Sequence, residues 1–287
     1  MRWQGRRGSA NVEDRRGQGL PMKPMGVGCG GILLVLVLSW LTGTNPLQLL
    51  QVLSSTQGTS SEVAIPDAPA SAPADELGTF ASVVLASTEE TWNALLPRLD
   101  HQYQEPTLVL YRDVWPTACG MGQSAMGPFY CPGDSKIYLD LSFFDDLDRR
   151  LGAPGDFAQA YVIAHEVGHH VQNLLGISSQ VRQLQRQARS QEEANDLSVR
   201  LELQADCLAG VWGHYAARDG LIEPGDFEDG LRAAGAIGDD RMQRQSRGYV
   251  SPESFTHGTS EQRMHWLDAG LEGGDPDVCD TFGAPRR

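Results

Sequence analysis

The chain has 287 residues, 40% of them hydrophobic, which suits one domain of catalytic size with appendages. A formal net charge of −14 sets it against nucleic-acid phosphates and argues against that class of partner. Sixteen prolines and 32 glycines imply a chain with many loops.

The charge is unevenly spread. Residues 1–24 hold Arg2, Arg6, Arg7, Arg15, Arg16 and Lys23 against Glu13 and Asp14, a net of +4. No charged residue occurs between Lys23 and Glu62, and residues 25–44 form a 20-residue stretch dense in Leu, Val and Ile. About 20 apolar residues span a bilayer core. The basic flank comes first, which predicts a cytoplasmic N-terminus over 1–24, a single membrane anchor over 25–44 and export of the remainder of the chain. A cleaved signal peptide is the competing reading, opposed by the long, partly acidic leader and the lack of an Ala-x-Ala site. Residues 45–75, rich in Ser, Thr, Pro, Ala and Gln, read as a flexible linker.

The folded domain is expected over 76–287. Apolar spacing from Phe80 to Leu99 predicts two helices parted near Ser87. Thr107–Tyr111 and Ile137–Leu141 read as strands, separated by a Gly- and Pro-rich loop, and Leu141–Leu151 turns helical. Asp156 is the predicted cap of a central helix that ends before Gly176. The polar stretch Gln180–Glu193 reads as an exposed, mobile helix. Helices are also expected over Asn195–Ala216, over Asp226–Ala236 and, capped by Ser260, over Glu261–Leu271.

Five cysteines fit an oxidising compartment. Cys29 lies in the apolar stretch. Cys119 and Cys131 flank a short loop that suits a disulfide, in which case Cys207 and Cys279 would pair, although four cysteines allow three connectivities. Structural zinc through these cysteines is the weaker alternative, since no Cys-x-x-Cys occurs.

The central helix carries His165-Glu166-x-x-His169. Histidines four apart share one helix face, so both imidazoles reach one metal ion, and Glu166, about 100° round the helix, suits a general base. Catalytic zinc takes a third protein ligand, for which the best candidate is Glu202, 33 residues after His169 on a predicted helix. Asp206, one turn on, would orient a ligating histidine from behind. Read alone, the two acids would be surface residues of an amphipathic helix. His170 and His214 point away from this face and read as structural.

His165-Glu166-x-x-His169 with Glu202-x-x-x-Asp206 resembles the gluzincin pattern of membrane peptidases related to CAAX-processing and HtpX-like proteases. The start Met1-Arg-Trp-Gln-Gly-Arg-Arg, the segment Gly127-Pro-Phe-Tyr-Cys-Pro…Ile137-Tyr-Leu-Asp-Leu, and Phe255-Thr-His-Gly-Thr-Ser260 resemble the narrower bacterial family of neutral zinc metallopeptidases. The resemblance covers nearly the whole chain except the linker. It implies a zincin-like α+β domain, mainly α with a small β-element, holding one Zn2+ through His165, His169 and Glu202, with Glu166 as base and Asp206 behind. Related peptidases carry Thr-His-Pro-x-x-x-x-Arg near the end; Thr256-His257-Gly…Arg263 keeps the spacing with Gly for Pro. By that similarity His257 would donate to the oxyanion with Arg263 in support; the plain alternative is that both cap the last helix.

The expected activity is peptide hydrolysis by a membrane-anchored zinc endopeptidase acting outside the cytoplasm on polypeptides. A membrane-tethered scaffold without turnover and a cell-wall peptide amidase are the other readings. Strand Ile137–Leu141 is expected to be a sheet edge that pairs with an extended substrate.

Overall fold

Near-continuous apolar runs, rather than alternating ones, mark strands covered on both faces. Two such runs organise the sheet of this protein, seen in a computed structural model that describes residues 1–18, 71–124 and 127–283. They are β2 (Thr107–Tyr111) and β6 (Lys136–Asp140), paired in parallel with Leu108 opposite Ile137 and Leu110 opposite Leu139. The sheet is completed by β1 (Val12–Asp14), parallel to β2, and β5 (Phe129–Cys131), antiparallel to β6, in the order β1-β2-β6-β5. Leu108, Leu110, Ile137 and Leu139 face the helical core, while Val109, Tyr111, Tyr138, Trp115 and Cys131 form a second cluster on the opposite face. That face is covered by the hairpin β3 (Val114–Thr117) and β4 (Gly120–Gln123), which the Cys119–Cys131 disulfide ties to β5.

The expected substrate-pairing edge is therefore misplaced. β6 lies between β2, paired along Lys136–Asp140, and β5, paired along Lys136–Tyr138, so over Lys136–Tyr138 both sides of its backbone are taken and the outer strand on that side is β5.

Helix α1 (Glu76–Leu95) starts at Asp75, whose carboxylate accepts from the Gly78 N–H. It runs unbroken through Ser87. The polar residues there are satisfied from within: Thr88 and Thr91 donate to the Leu85 and Ser87 carbonyls, and the Ser87 hydroxyl accepts from Trp212 Nε1 at 3.0 Å. α2 (Ser142–Arg149) buries Phe144 and Leu147. α3 (Asp156–Leu174) is apolar over most of its circumference and buried accordingly, and Gly176 follows it in the left-handed region as expected. The polar stretch after it is ordered as α4 (Ile177–Gln187). α5 (Gln191–Arg218) begins earlier than expected, because Ser190 caps it through the Glu193 N–H. α6 (Asp226–Ala236) falls on its predicted residues, and α7 (Asp239–Arg247) was not foreseen. α8 (Ser260–Gly273) is capped by Thr259 with Gln262 in a capping box, one residue before the expected Ser260.

Two glycine contacts set the helix spacing. A Cβ on Gly168 of α3 would lie 2.9 Å from the Ala205 carbonyl oxygen of α5, and one on Gly270 of α8 would lie 2.0 Å from the Cys207 carbonyl oxygen. Only glycine lets these backbones touch. The Cys207–Cys279 disulfide then pins the C-terminal turn Pro276–Cys279 onto α5.

The segment expected to stand apart as a basic cytoplasmic N-terminus is part of this domain. Met1–Gly17 and Pro69–Arg287 form one compact unit. Trp3 is 7% exposed, meets Phe80 edge-on at 5.5 Å and donates Nε1 to Asp156 at 2.9 Å. Asp156 therefore receives an indole N–H instead of capping its helix. Ser9 and Asn11 donate to the buried Glu89 at 2.6 and 2.8 Å, and β1 closes the β2 edge. The physical reason for the difference is that the arginines have partners inside the fold: Arg2 with Glu223, Arg7 with Glu90, Arg16 with Asp14 and Asp75. The anticipated anchor 25–44 lies outside the described residues, as does the linker up to residue 70. Among the described residues, no helix is long and apolar enough to cross a membrane.

Candidate metal centre

α3 and α5 touch at Gly168 and Ala205, and this contact brings the sequence-distant acids onto the histidine face. His165 Nε2 lies 3.2 Å from one Glu202 oxygen, and His169 Nε2 lies 3.4 Å from the other. The ligand atoms of His165, His169 and Glu202 all fall within 4.8 Å of one another. The two imidazole rings, one turn apart, are 4.8 Å between centroids and nearly perpendicular.

The outer nitrogens are held as well. His165 Nδ1 is 2.8 Å from Asp206 Oδ1, and His169 Nδ1 is 2.9 Å from Gln172 Oε1. An acceptor at each Nδ1 holds a proton there and turns each Nε2 inward, where a metal ion would take the place of the second proton. Two imidazole nitrogens and a carboxylate, converging with an open side, are the donor set of a catalytic zinc site. The residues present therefore fit the ion.

Asp206 is fully buried and saturated. It accepts from the Tyr161 hydroxyl at 2.5 Å, from His165, and from Arg263 through Nε and Nη2, both at 2.8 Å. Burial alone would raise its carboxyl, but Arg263 and His165 pull it down to about 2. Burial likewise opposes charge on His165, yet Asp206 and Glu202 raise the imidazole to about 10. Burial would also raise Glu202, and the two imidazoles hold it well below the usual carboxylate range. The cluster thus strongly favours positive charge at the Nε2 positions, which is what a divalent cation supplies.

Gln172 is the residue that holds the second histidine. Its amide donates to the Leu201 carbonyl at 2.7 Å and to Gln204 Oε1 at 3.1 Å, and Gln204 donates in turn to the Cys279 carbonyl. One buried amide chain therefore links the His169 ring to the backbone of α5 and to the Cys207–Cys279 crosslink. Tyr161 and Gln172 were not anticipated, although their spacing on α3, four before His165 and three after His169, marks both as neighbours of the motif.

A cavity opens over the cluster. Glu166 (7% exposed), the three prospective ligands and His257 line it, with Phe129 and Tyr130 of β5 on one wall and Met242 and Ile237 on another. His257 sits on the loop before α8. Asp239 at the start of α7 holds that loop by accepting from the backbone N–H groups of Thr256, His257 and Gly258, and lies 3.3 Å from His257 Nδ1. This ion-pair partner raises the His257 imidazole above its ordinary value, against the opposing effect of burial. Asp239 had no signal in sequence, since it reaches His257 only through tertiary packing. Arg263 also borders the cavity, but its hydrogen bonds go to Asp206 and Tyr161, so it buttresses His165 and does not cap α8. His170 binds the Tyr130 hydroxyl and the Gln104 carbonyl, and His214 binds the Leu271 carbonyl, both away from the cluster.

The family described as "Putative neutral zinc metallopeptidase" matches residues 1–282. The uncharacterized protein YpfJ of Escherichia coli is 53% identical over 293 aligned positions covering 99% of each chain. The uncharacterized protein Mb2605 of Mycobacterium bovis is 44% identical over 209 positions, 69% of this chain and 68% of its own. No solved structure matches. With the histidine pair, the carboxylate and the near-complete match together, this chain belongs to the neutral zinc metallopeptidase family.

Proposed function

We propose that this protein is a zinc endopeptidase that hydrolyses polypeptides in the cavity above His165, His169 and Glu202. The observation that carries the reading is the convergence of those three ligand atoms within 4.8 Å, with the Glu166 carboxylate in the same cavity wall. A purely structural site is closed by its protein ligands and has no use for such a carboxylate.

Zinc bound there supplies Lewis acidity to a scissile carbonyl and acidifies water. The chain's own residues supply the rest. Glu166 takes a proton from the attacking water and returns it to the leaving amine. His257, whose charged form the neighbouring Asp239 favours, donates to the developing oxyanion, a contribution of about 2.7–4 kcal/mol to the barrier for donors of this kind. Asp206, held by Tyr161 and Arg263, and Gln172, held by the α5 backbone, fix the two imidazoles. β5 is the sheet edge that borders the cavity, so an extended substrate backbone has strand N–H and C=O groups beside the metal.

The two disulfides argue for an oxidising compartment, and the apolar stretch 25–44 for attachment to a membrane, so the reading places turnover outside the cytoplasm. The deciding experiment is Glu166→Gln in the full chain. Cleavage of a peptide library is expected to fall by at least about a thousandfold while bound zinc stays at one per chain. Unchanged cleavage would remove Glu166 from the chemistry. Zinc without cleavage in the unsubstituted protein would favour the tethered scaffold, and cleavage confined to cell-wall peptides would favour the amidase.

A further inference from the structure

The two described segments that flank residues 19–70 meet in a closed neck. The Asp14 N–H donates to the Ser71 carbonyl at 2.9 Å, and the two residues form an isolated antiparallel bridge. Arg16 then spans Asp14 on the outgoing side and Asp75 on the returning side. Its guanidinium also sits over Gly78, where an added Cβ would lie 3.0 Å away. A bridge of this kind holds its two Cα atoms about 5 Å apart. The hydrocarbon core of a bilayer is about 30 Å thick.

These distances bear on the 20-residue apolar stretch 25–44, which lies between the two sides of the neck in sequence. Were it a single crossing, residues 1–17 and residues 69–287 would face opposite aqueous compartments. β1 could then not pair with β2, Trp3 could not reach Phe80, and the buried Glu89 would lose Ser9 and Asn11. A second crossing by residues 45–68 would have to carry Ser54-Ser-Thr-Gln-Gly-Thr-Ser-Ser-Glu62 through hydrocarbon.

The basic flank does not rescue the single crossing. A Lys/Arg bias sets which face a flank keeps, and it cannot put on opposite faces two segments that are packed together. Here Arg2 and Arg7 are paired with Glu223 and Glu90, Arg6 donates to the Arg2 and Asp219 carbonyls, and Arg16 is held at the neck. The Met1 ammonium itself lies 3.0 Å from Glu223 and 3.4 Å from Asp226.

We propose that residues 1–17 and the catalytic domain lie on the same side of the membrane. This placement stands independently of the peptidase reading, and the Glu166→Gln outcome does not bear on it.

The test uses the full chain in bacterial cells, in a Cys29→Ser background that leaves only the four disulfide cysteines. Arg7→Cys and Arg189→Cys are made separately; these side chains are 65% and 91% exposed. Intact spheroplasts are treated with a membrane-impermeant maleimide before and after detergent. The expected result is that both probes behave alike, labelled to the same extent without detergent. Labelling of one while the other needs detergent overturns the proposal. In a second measurement, Asp14→Cys with Ser71→Cys is expected to crosslink in isolated membranes on addition of a thiol oxidant, read as a mobility shift that reductant reverses. Failure of that pair to crosslink while both native disulfides are intact also overturns it.

Discussion

The metal centre and the N-terminal segment were both conspicuous in the sequence, and they fared differently. His165, Glu166 and His169 lie where the helix period puts them, and Glu202 and Asp206 join them. Residues 1–17 carry an equally plain pattern of arginines, yet they form a sheet edge and a packed corner rather than a free cytoplasmic flank. A spacing motif constrains geometry by itself, because a helix turn relates residues four apart wherever the helix sits. A charge pattern carries no geometry of its own, and here the arginines meet Glu223, Glu90 and Asp75 within the fold.

That contrast can be broken at either end. The largest effect is expected at the metal. Glu202→Ala removes the carboxylate that joins the two imidazoles, and zinc measured after dialysis should drop from one per chain to near zero. The melting temperature of the zinc-free protein should change little. A variant that keeps its zinc would mean that the third ligand lies elsewhere.

Next is the corner. Trp3→Ala should cost about 3–5 kcal/mol of folding stability in denaturant titration, as for other buried tryptophans. A loss under about 0.5 kcal/mol, the scale of a surface substitution, would return the segment to the status of a loose tail.

A smaller effect tests the support behind the motif. Gln172→Leu should weaken zinc binding by about 10–100-fold in competition with a chelator, leaving the fold intact. Since Gln172 also links α3 to the Leu201 carbonyl, a Gln172→Glu variant separates the roles: it keeps an acceptor for His169 Nδ1 and should restore most of the affinity.

The smallest concerns pH. Asp239 raises the His257 imidazole, so the donating, protonated form persists above the ordinary histidine range. Asp239→Asn removes that support, lets the imidazole pKa fall, and should move the alkaline limb of kcat to lower pH without changing zinc content. An unmoved limb would assign it to another group.

Much of the helical skeleton was legible because apolar residues recur at the helix period. α6 spans Asp226–Ala236 as expected, and α3 stops where Gly176 takes a positive φ of 77°. Ser87 misled, since a polar residue inside a helix looks like a break until Trp212 is seen to need its hydroxyl. β5 and the β3–β4 hairpin were hidden in a loop rich in Gly and Pro, where strands of three and four residues leave no measurable alternation. Without them β6 looked like an edge.

Taken by itself, the sequence determined the local terms: which face of α3 bears two imidazoles, which stretches are apolar, and which cysteines lie close enough to close a short loop. Only the tertiary structure decided that Gly168 lets α5 approach until Glu202 reaches both rings, that Asp239 stands behind His257, and that the first seventeen residues belong to the domain. The reason is range. Helix period and side-chain chemistry act between near neighbours along the chain, whereas burial, ion pairing and strand order depend on residues that meet only once the backbone has folded.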